Sequence, residues 1–268
     1  MSSIPSTDAE WAALISNVRE RVPDRCLSQP TIPLQVPRMI DHTLLKKPIE
    51  PDQIDTLCQE AIEHEFASVC IWPEYVSRAA AILHNTPKIG VACVVGFPEG
   101  TGDTAEKVKE AQEAVFQGAT ELDMVINWPK LKMGEYTSVY DDILAVRNAA
   151  PSPTIIKCIL EASQLSKDEV IAGTTICCMA QVDFVKTSTG FNGPGANVNQ
   201  VNVMRLTAKA CGNNDIQIKA SGGIRTVHDC MRMIKVGATR IGTSAGVQIV
   251  RDLDEGEILE QGASHSVT

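Results

Sequence analysis

The sequence predicts a (β/α)8 barrel with an N-terminal helical extension, on three observations. Eight apolar, β-rich segments recur between residues 36 and 250, separated by stretches with apolar residues at helical spacing. Most of the eight are near-continuously apolar rather than strictly alternating, as strands of a parallel sheet covered on both faces are. Eight units in roughly 215 residues suit a closed barrel better than an open doubly wound sheet. The open sheet needs a Gly-rich nucleotide fingerprint after its first strand, where this chain reads "DHTLLKKP" with no glycine.

In chain order, residues 1–35 read as an N-terminal helix and a Pro-rich linker, 36–250 as the barrel and 251–268 as a C-terminal tail. In "STDAEWAALISNVRERV", Thr7 and Glu10 stand at capping-box spacing before a helical pattern. The four prolines of "PDRCLSQPTIPLQVP" then break any regular element. Strands are expected in "PRMIDHT", "ASVCIWP", "IGVACVVGFP", "TELDMVIN", "TIIKCILEA", "DFVKTSTG", "IQIKASGG" and "TRIGTSAG". Between them, "DQIDTLCQEAIEHE" puts Ile54, Leu57, Cys58, Ala61 and Ile62 on one helical face. "DTAEKVKEAQEAVFQG" opens on Asp103 with Glu106 three residues later, and Gly118 stops it. Its "EKVKE" reads as a solvated face, with Glu106, Lys107, Lys109 and Glu110 outward. "SKDEVIAGTTICCMAQ" opens on a Ser166/Glu169 pairing, and the next two helices end at Gly212 and Gly237. After the eighth segment, "IGTSAGVQIV" opens a short apolar helix.

Composition narrows the function classes. With 44% hydrophobic and 21% charged residues the chain can bury a sizeable core, so disorder throughout is excluded. A net charge of −9 argues against nucleic acid or an anionic membrane as partner, while leaving room for a small basic pocket. The nine cysteines are scattered without C-x-x-C pairs, which reads as reduced, buried thiols in a reducing compartment. "WAALI" is too short for a signal core or a membrane span, so the cytoplasm is expected. The five histidines show no H-x-H or H-E-x-x-H spacing, so no metal is expected. His42 alternates with Asp41 and should pack in the barrel wall. Cys70 reads as a small buried hydrophobe, or as a thiol open to aldehydes if it reaches the mouth; Cys177 and Cys178 carry no assigned function.

In a barrel, functional groups belong at the C-terminal strand ends, where Asp41, Asp123, Asn127, Lys157, Glu161, Lys186 and Lys219 fall. Three lysines on consecutive segments ("IIKCIL", "FVKTST", "IKASGG") are unusual, because lysine is depleted in strands and a closed barrel offers no edge for one. One such lysine could be a snorkelling side chain; three beside a buried-looking Asp favour chemistry. At pH 7 a free lysine is neutral in roughly one molecule in 2,500, and only the neutral amine attacks a carbonyl. Burial and a second cation both lower its pKa, so one lysine becomes the nucleophile and its neighbour keeps the charge. Small-residue loops after the sixth, seventh and eighth segments ("TSTG", "SGGIR", "TSAG") suit an anion cradle.

The motifs "IDHTLLK", "SVCIWP", "GFPEG", "ELDMVIN", "FVKTSTGF", "KASGGIR" and "RIGTSAG", in order over about residues 38–250, resemble those of the deoxyribose-phosphate aldolase family. That family comprises cofactor-free class I aldolases on a (β/α)8 barrel. The resemblance implies that Lys186 is the Schiff-base lysine, Lys219 the lysine that tunes it and Asp123 the proton-relay carboxylate. It further implies substrate contacts at Asp41, Thr43 and Lys157, and a phosphate cradle from Thr189, Gly190, Gly222, Gly223, Gly242 and Ser244, with Arg225 beside it. The implied reaction converts 2-deoxy-D-ribose 5-phosphate to D-glyceraldehyde 3-phosphate and acetaldehyde, without cofactor, in a homodimer or homotetramer. Two departures stand out. Phe191 follows "TSTG" where some members have a lysine, and the last tyrosine is Tyr140, so no tail phenol can shuttle protons. Two rival readings remain at this point: another phosphosugar barrel, such as an isomerase or a different Schiff-base aldolase, and a non-catalytic phosphometabolite binder.

Overall fold

Each of the eight expected segments forms a strand, and the strands pair in parallel in sequence order until the eighth closes on the first. The computed structural model describes residues 4–23 and 35–264, with side chains to residue 255. The chain runs α1 (Asp8–Arg21), β1 (Ile40–Thr43), α2 (Pro51–Glu63), β2 (Ser68–Ile71), α3 (Val76–Leu83), β3 (Gly90–Val95) and α4 (Thr104–Phe116). It continues β4 (Glu121–Val125), α5 (Trp128–Met133), α6 (Tyr136–Ala149), β5 (Ile155–Ile159), α7 (Lys167–Met179) and β6 (Phe184–Lys186). It closes with α8 (Val198–Ala210), β7 (Gln217–Ser221), α9 (Val227–Lys235), β8 (Arg240–Thr243) and α10 (Gly246–Ser264). The expected linker at 24–34, with Cys26, lies outside the described residues.

Period-two alternation divides each strand. Outward residues such as Val69, Leu122, Ile156, Val185 and Ile218 join the helices in one large apolar core. Inward positions of β1 and β4–β8 carry the polar residues Asp41, Glu121, Asp123, Lys157, Lys186, Lys219 and Arg240, beside apolar ones such as Val125, Ile159 and Phe184. His42 faces the wall as expected: its ring packs 5.0 Å from Phe66 and its Nε2 lies 2.7 Å from Glu60 Oε2. Capping boxes form at Thr7/Glu10 and Ser166/Glu169, which fixes where α1 and α7 begin.

Three expectations need correction. Asp103 sits at the N-cap of α4 but its side chain makes no capping bond. The "EKVKE" face is not wholly solvated: Lys107 is buried, and its Nζ donates to Asp142 Oδ2 at 2.6 Å. Its place on the stripe Lys107–Ala111–Ala114 explains this, since the small alanines leave room beneath α6 for the lysine stem. Glu110 also turns inward enough to accept a bond from the Gly96 N–H at 2.7 Å. The helix after β8 is longer than expected, 19 residues, and runs across the 250/251 boundary.

Helix α1 lies against α6, α7 and α8. Trp11 is fully buried with its ring 5.1 Å from that of Tyr140, and Val18 and Val22 pack on Ile171 and Leu206. Among the described residues no helix is long and apolar enough to cross a membrane, and the described cysteines are all free thiols.

Candidate active site

The barrel's polar inward residues converge because parallel pairing sets them side by side. Asp123 pairs in register with Lys157, Lys186 with Lys219, and Lys219 with Arg240. Lys186 Nζ donates to Asp123 Oδ2 at 2.6 Å, and Lys219 Nζ donates to the same oxygen at 2.6 Å. Lys219 also donates to Asp41 Oδ2. Lys157 Nζ reaches Asp123 Oδ1 at 2.8 Å, Asp41 Oδ2 at 3.0 Å and Glu121 Oε2 at 2.5 Å. Arg240 completes the cluster below, 2.6 Å from Asp41 and 3.0 Å from Glu121. Gly242 makes room for this: a Cβ there would stand 3.1 Å from Lys219 Cε and 2.9 Å from Ser221 Cβ.

Counting direct ion pairs gives four cations, Lys157, Lys186, Lys219 and Arg240, against three carboxylates, Asp41, Glu121 and Asp123. In a buried site an uncompensated charge is costly, so one proton is the easiest to lose. Lys186 holds it most weakly, having one carboxylate partner where Lys157 has three and Lys219 two. Burial is the largest influence on Lys186 and pulls its pKa below the ordinary lysine value; Lys219 adds to this against the opposing pull of Asp123. Lys157 and Lys219 are buried as deeply, but their carboxylates outweigh burial and raise both. Asp41 and Asp123 resist burial through the adjacent cations and stay well below the usual carboxylate range.

Above Lys186 a cleft of about 460 Å³ opens at the C-terminal end of the barrel. Of the residues expected from sequence, Lys186, Thr43, Thr189, Gly190, Gly222, Gly223, Arg225, Gly242 and Ser244 line it. Asp41, Asp123, Lys157 and Lys219 lie beneath, fully buried. Gly190, Gly222 and Gly223 have φ of 86°, 85° and 76°, a left-handed conformation that suits glycine and turns backbone toward the cleft. Phe191 is half exposed at the rim, edge-on to Phe97 at 5.2 Å, and Phe97 is edge-on to Trp72 at 5.3 Å. A larger groove of about 690 Å³ lies outside the barrel along α7 and α8 and contains none of these groups.

Sequence reasoning missed three residues here. Glu121 and Arg240 each stand two positions before an expected inward residue, Asp123 and Gly242, so alternation alone could have found them. Lys46, in the quoted "IDHTLLK", lines the cleft and joins Arg225 in supplying positive charge where Phe191 supplies none. Cys70 is buried as expected, yet it faces inward: its Sγ donates to Asp123 Oδ2 at 3.8 Å, and burial, then Asp123, raise its pKa. Among the described residues no group of three or more His, Cys, Asp or Glu side chains is placed to hold a metal ion.

A buried amine of lowered pKa under a glycine-lined cleft suits carbonyl chemistry on an anionic substrate. Comparison with known proteins agrees in kind. The family model described as DeoC/LacD family aldolase matches residues 36–253. Deoxyribose-phosphate aldolase of Coccidioides immitis (strain RS) is 47% identical over 256 residues, 94% of each chain. A crystal structure from Coccidioides immitis superposes with a TM-score of 0.89 at 46% identity, covering 95% of this chain and 100% of that one. The deoxyribose phosphate aldolase of Aeropyrum pernix, described as a unique tetrameric structure, gives 0.76 at 27% identity, covering 93% and 99%. With the whole barrel matched and nearly half the residues shared with a relative of almost equal length, the chain belongs to the DeoC/LacD family of aldolases.

Proposed function

We propose that the protein cleaves 2-deoxy-D-ribose 5-phosphate to D-glyceraldehyde 3-phosphate and acetaldehyde through an imine on Lys186. The observation that carries this is the four-to-three charge imbalance, with Lys186 the most weakly paired of the buried lysines. Neutral Lys186 attacks C1 of the open-chain aldehyde; the carbinolamine loses water and becomes the protonated imine. That positive nitrogen draws electrons from C2. As the proton leaves the C3 hydroxyl, the C2–C3 bond breaks and its electron pair forms an enamine. Glyceraldehyde 3-phosphate departs, the enamine carbon takes up a proton, and water hydrolyses the imine to acetaldehyde and free Lys186.

Lys219 and Asp123 serve the proton steps. Lys219 and Lys186 both donate to Asp123 Oδ2, so a proton released beside Lys186 meets an acceptor held by a charged lysine. Asp41 and Lys157 hold that pair in place, and Thr43 lines the substrate channel above them. The phosphate sits among the backbone N–H groups of the loops bearing Thr189, Gly190, Gly222, Gly223, Gly242 and Ser244, with Arg225 and Lys46 nearby. The protein acts without a cofactor, in the cytoplasm, in deoxyribonucleoside catabolism. It works as a homodimer or homotetramer, a reading supported by the tetrameric Aeropyrum pernix relative.

Borohydride with acetaldehyde or the phosphosugar tests the imine. Reduction should leave an irreversible mass increase on the peptide bearing Lys186, absent from Lys186→Ala. Undiminished aldol cleavage by Lys186→Ala, or an adduct mapped to Lys219 or Lys157, would overturn the assignment.

A further inference from the structure

One buried carboxylate at the site takes no part in the chemistry above. Glu161 lies two residues past the end of β5 and is 1% exposed, yet no ion pair joins it to a lysine or arginine among the described residues. Its backbone is left-handed, φ 53° and ψ 52°, a conformation that residues other than glycine and asparagine seldom adopt. Burial pushes its carboxyl upward. A strained backbone and a buried acid on one residue need a compensating contact, and the structure supplies it in the loop after β6.

Glu161 Oε2 accepts a hydrogen bond from the Thr189 hydroxyl, and Oε1 accepts one from the Thr189 N–H at 3.3 Å. The same hydroxyl oxygen accepts the Phe191 N–H at 3.1 Å. The N–H groups on either side of Gly190 are thus tied back toward β5, while Gly190 itself lines the cleft opposite Gly222. The backbone around Glu161 grips β6 as well: the Leu160 N–H donates to the Lys186 carbonyl at 3.0 Å and the Ala162 N–H to the Thr187 carbonyl at 2.8 Å. Ser163 and Gln164 donate to the Asn192 carbonyl at 3.0 and 2.9 Å. The left-handed turn lets the carboxylate reach Thr189 between these bonds.

We propose that Glu161 is a positioning residue that holds the 187–191 loop in the shape that receives the substrate's phosphate, and so sets the preference for phosphorylated over unphosphorylated sugars. This rests on the aldolase reading above. The Thr189 hydroxyl is engaged by Glu161, so Thr189 serves the anion through its place in the loop rather than by its own hydroxyl.

Two variants separate this role from general support of the fold. Glu161→Asn tolerates the left-handed backbone but is too short to reach Thr189; Glu161→Gln keeps the length and one acceptor oxygen. On 2-deoxyribose 5-phosphate, Glu161→Asn should raise KM about tenfold or more with kcat within about threefold. On unphosphorylated 2-deoxyribose its kcat/KM should stay within about threefold, and Glu161→Gln should recover most of the lost affinity. Acetaldehyde trapping on Lys186 by borohydride reports whether each variant is folded and competent. If Glu161→Asn does not fold, Glu161→Gly, which suits the left-handed backbone and removes both acceptor oxygens, should show the same selective rise in KM. Equal losses on both sugars, or no change in a variant that still traps acetaldehyde, would overturn the proposal. If the unaltered protein traps no acetaldehyde, the aldolase reading falls and this inference with it.

Discussion

At the scale of single residues, the site turns on which of three equally buried lysines gives up its proton. Burial works against all three, so the difference between them is the number of carboxylates each touches. Lys219 keeps its charge through Asp41 and Asp123, and that charge in turn lowers Lys186. Replacing Lys219 by Met removes a neighbouring cation and also frees Asp123 to stabilise a protonated Lys186. Both changes raise the Lys186 pKa. Because the neutral amine is the reactive form, kcat/KM on the acid side climbs with pH until Lys186 is deprotonated. The acid limb in Lys219→Met should therefore move to higher pH, by about one unit or more, and the activity deficit should be about tenfold larger at pH 6 than near pH 9. A pH–rate profile of the two proteins measures this; a limb that stays put or moves down would show that Lys219 does not tune Lys186.

At the scale of elements, legibility in the sequence followed periodicity and failed where partners were distant. Eight short β-rich runs made all eight strands readable, and inward alternation put Lys157, Lys186, Lys219, Asp41 and Asp123 in one interior. The same alternation, carried two residues back, contained Glu121 and Arg240. Helix α4 was misread because charge was taken for exposure: Lys107 lies on the apolar stripe, but its partner Asp142 is 35 residues away on α6. Thr104 Oγ1 donates to the other Asp142 oxygen at 2.8 Å, so this acid is fully engaged. Lys107→Met leaves Asp142 buried without its cation and should destabilise the fold by about 3–5 kcal/mol. The double change Lys107→Met with Asp142→Leu replaces the pair by apolar side chains of similar size and should recover most of that loss. Urea unfolding of the two proteins checks it, and a double variant as unstable as the single one would mean that the pair is needed for more than charge compensation.

At the scale of the whole molecule, the barrel does not end at its own eight units, because α1 covers part of its outer helical ring. Periodicity revealed that α1 has an apolar face; it could not reveal that the face of α6, α7 and α8 receives it, since that contact joins residues more than a hundred positions apart. Trp11 against Tyr140 anchors the middle, while polar contacts fix the ends: Asp8 Oδ1 accepts the Thr137 N–H at 2.8 Å and Arg19 Nε donates to Asp168 at 2.6 Å. The exposed ion pair contributes little, so the docking rests on burial of Trp11, Ile15, Val18 and Val22. Trp11→Ala opens a large cavity between α1 and α6 and should cost about 3–5 kcal/mol, with Tm falling about 2–4 °C for each kcal/mol. Trp11→Phe should cost less, because it keeps most of the apolar volume and removes a buried indole N–H that has no hydrogen-bond partner among the described residues. The lysine cluster draws all its side chains from the strands, so at temperatures where Trp11→Ala is folded, borohydride trapping on Lys186 and kcat should match the unaltered protein. Thermal unfolding followed alongside activity distinguishes the outcomes. An unchanged Tm in Trp11→Ala would mean that α1 is not packed on the barrel in solution, and a lowered kcat at full folding would mean that α1 reaches the site through α6 and α7.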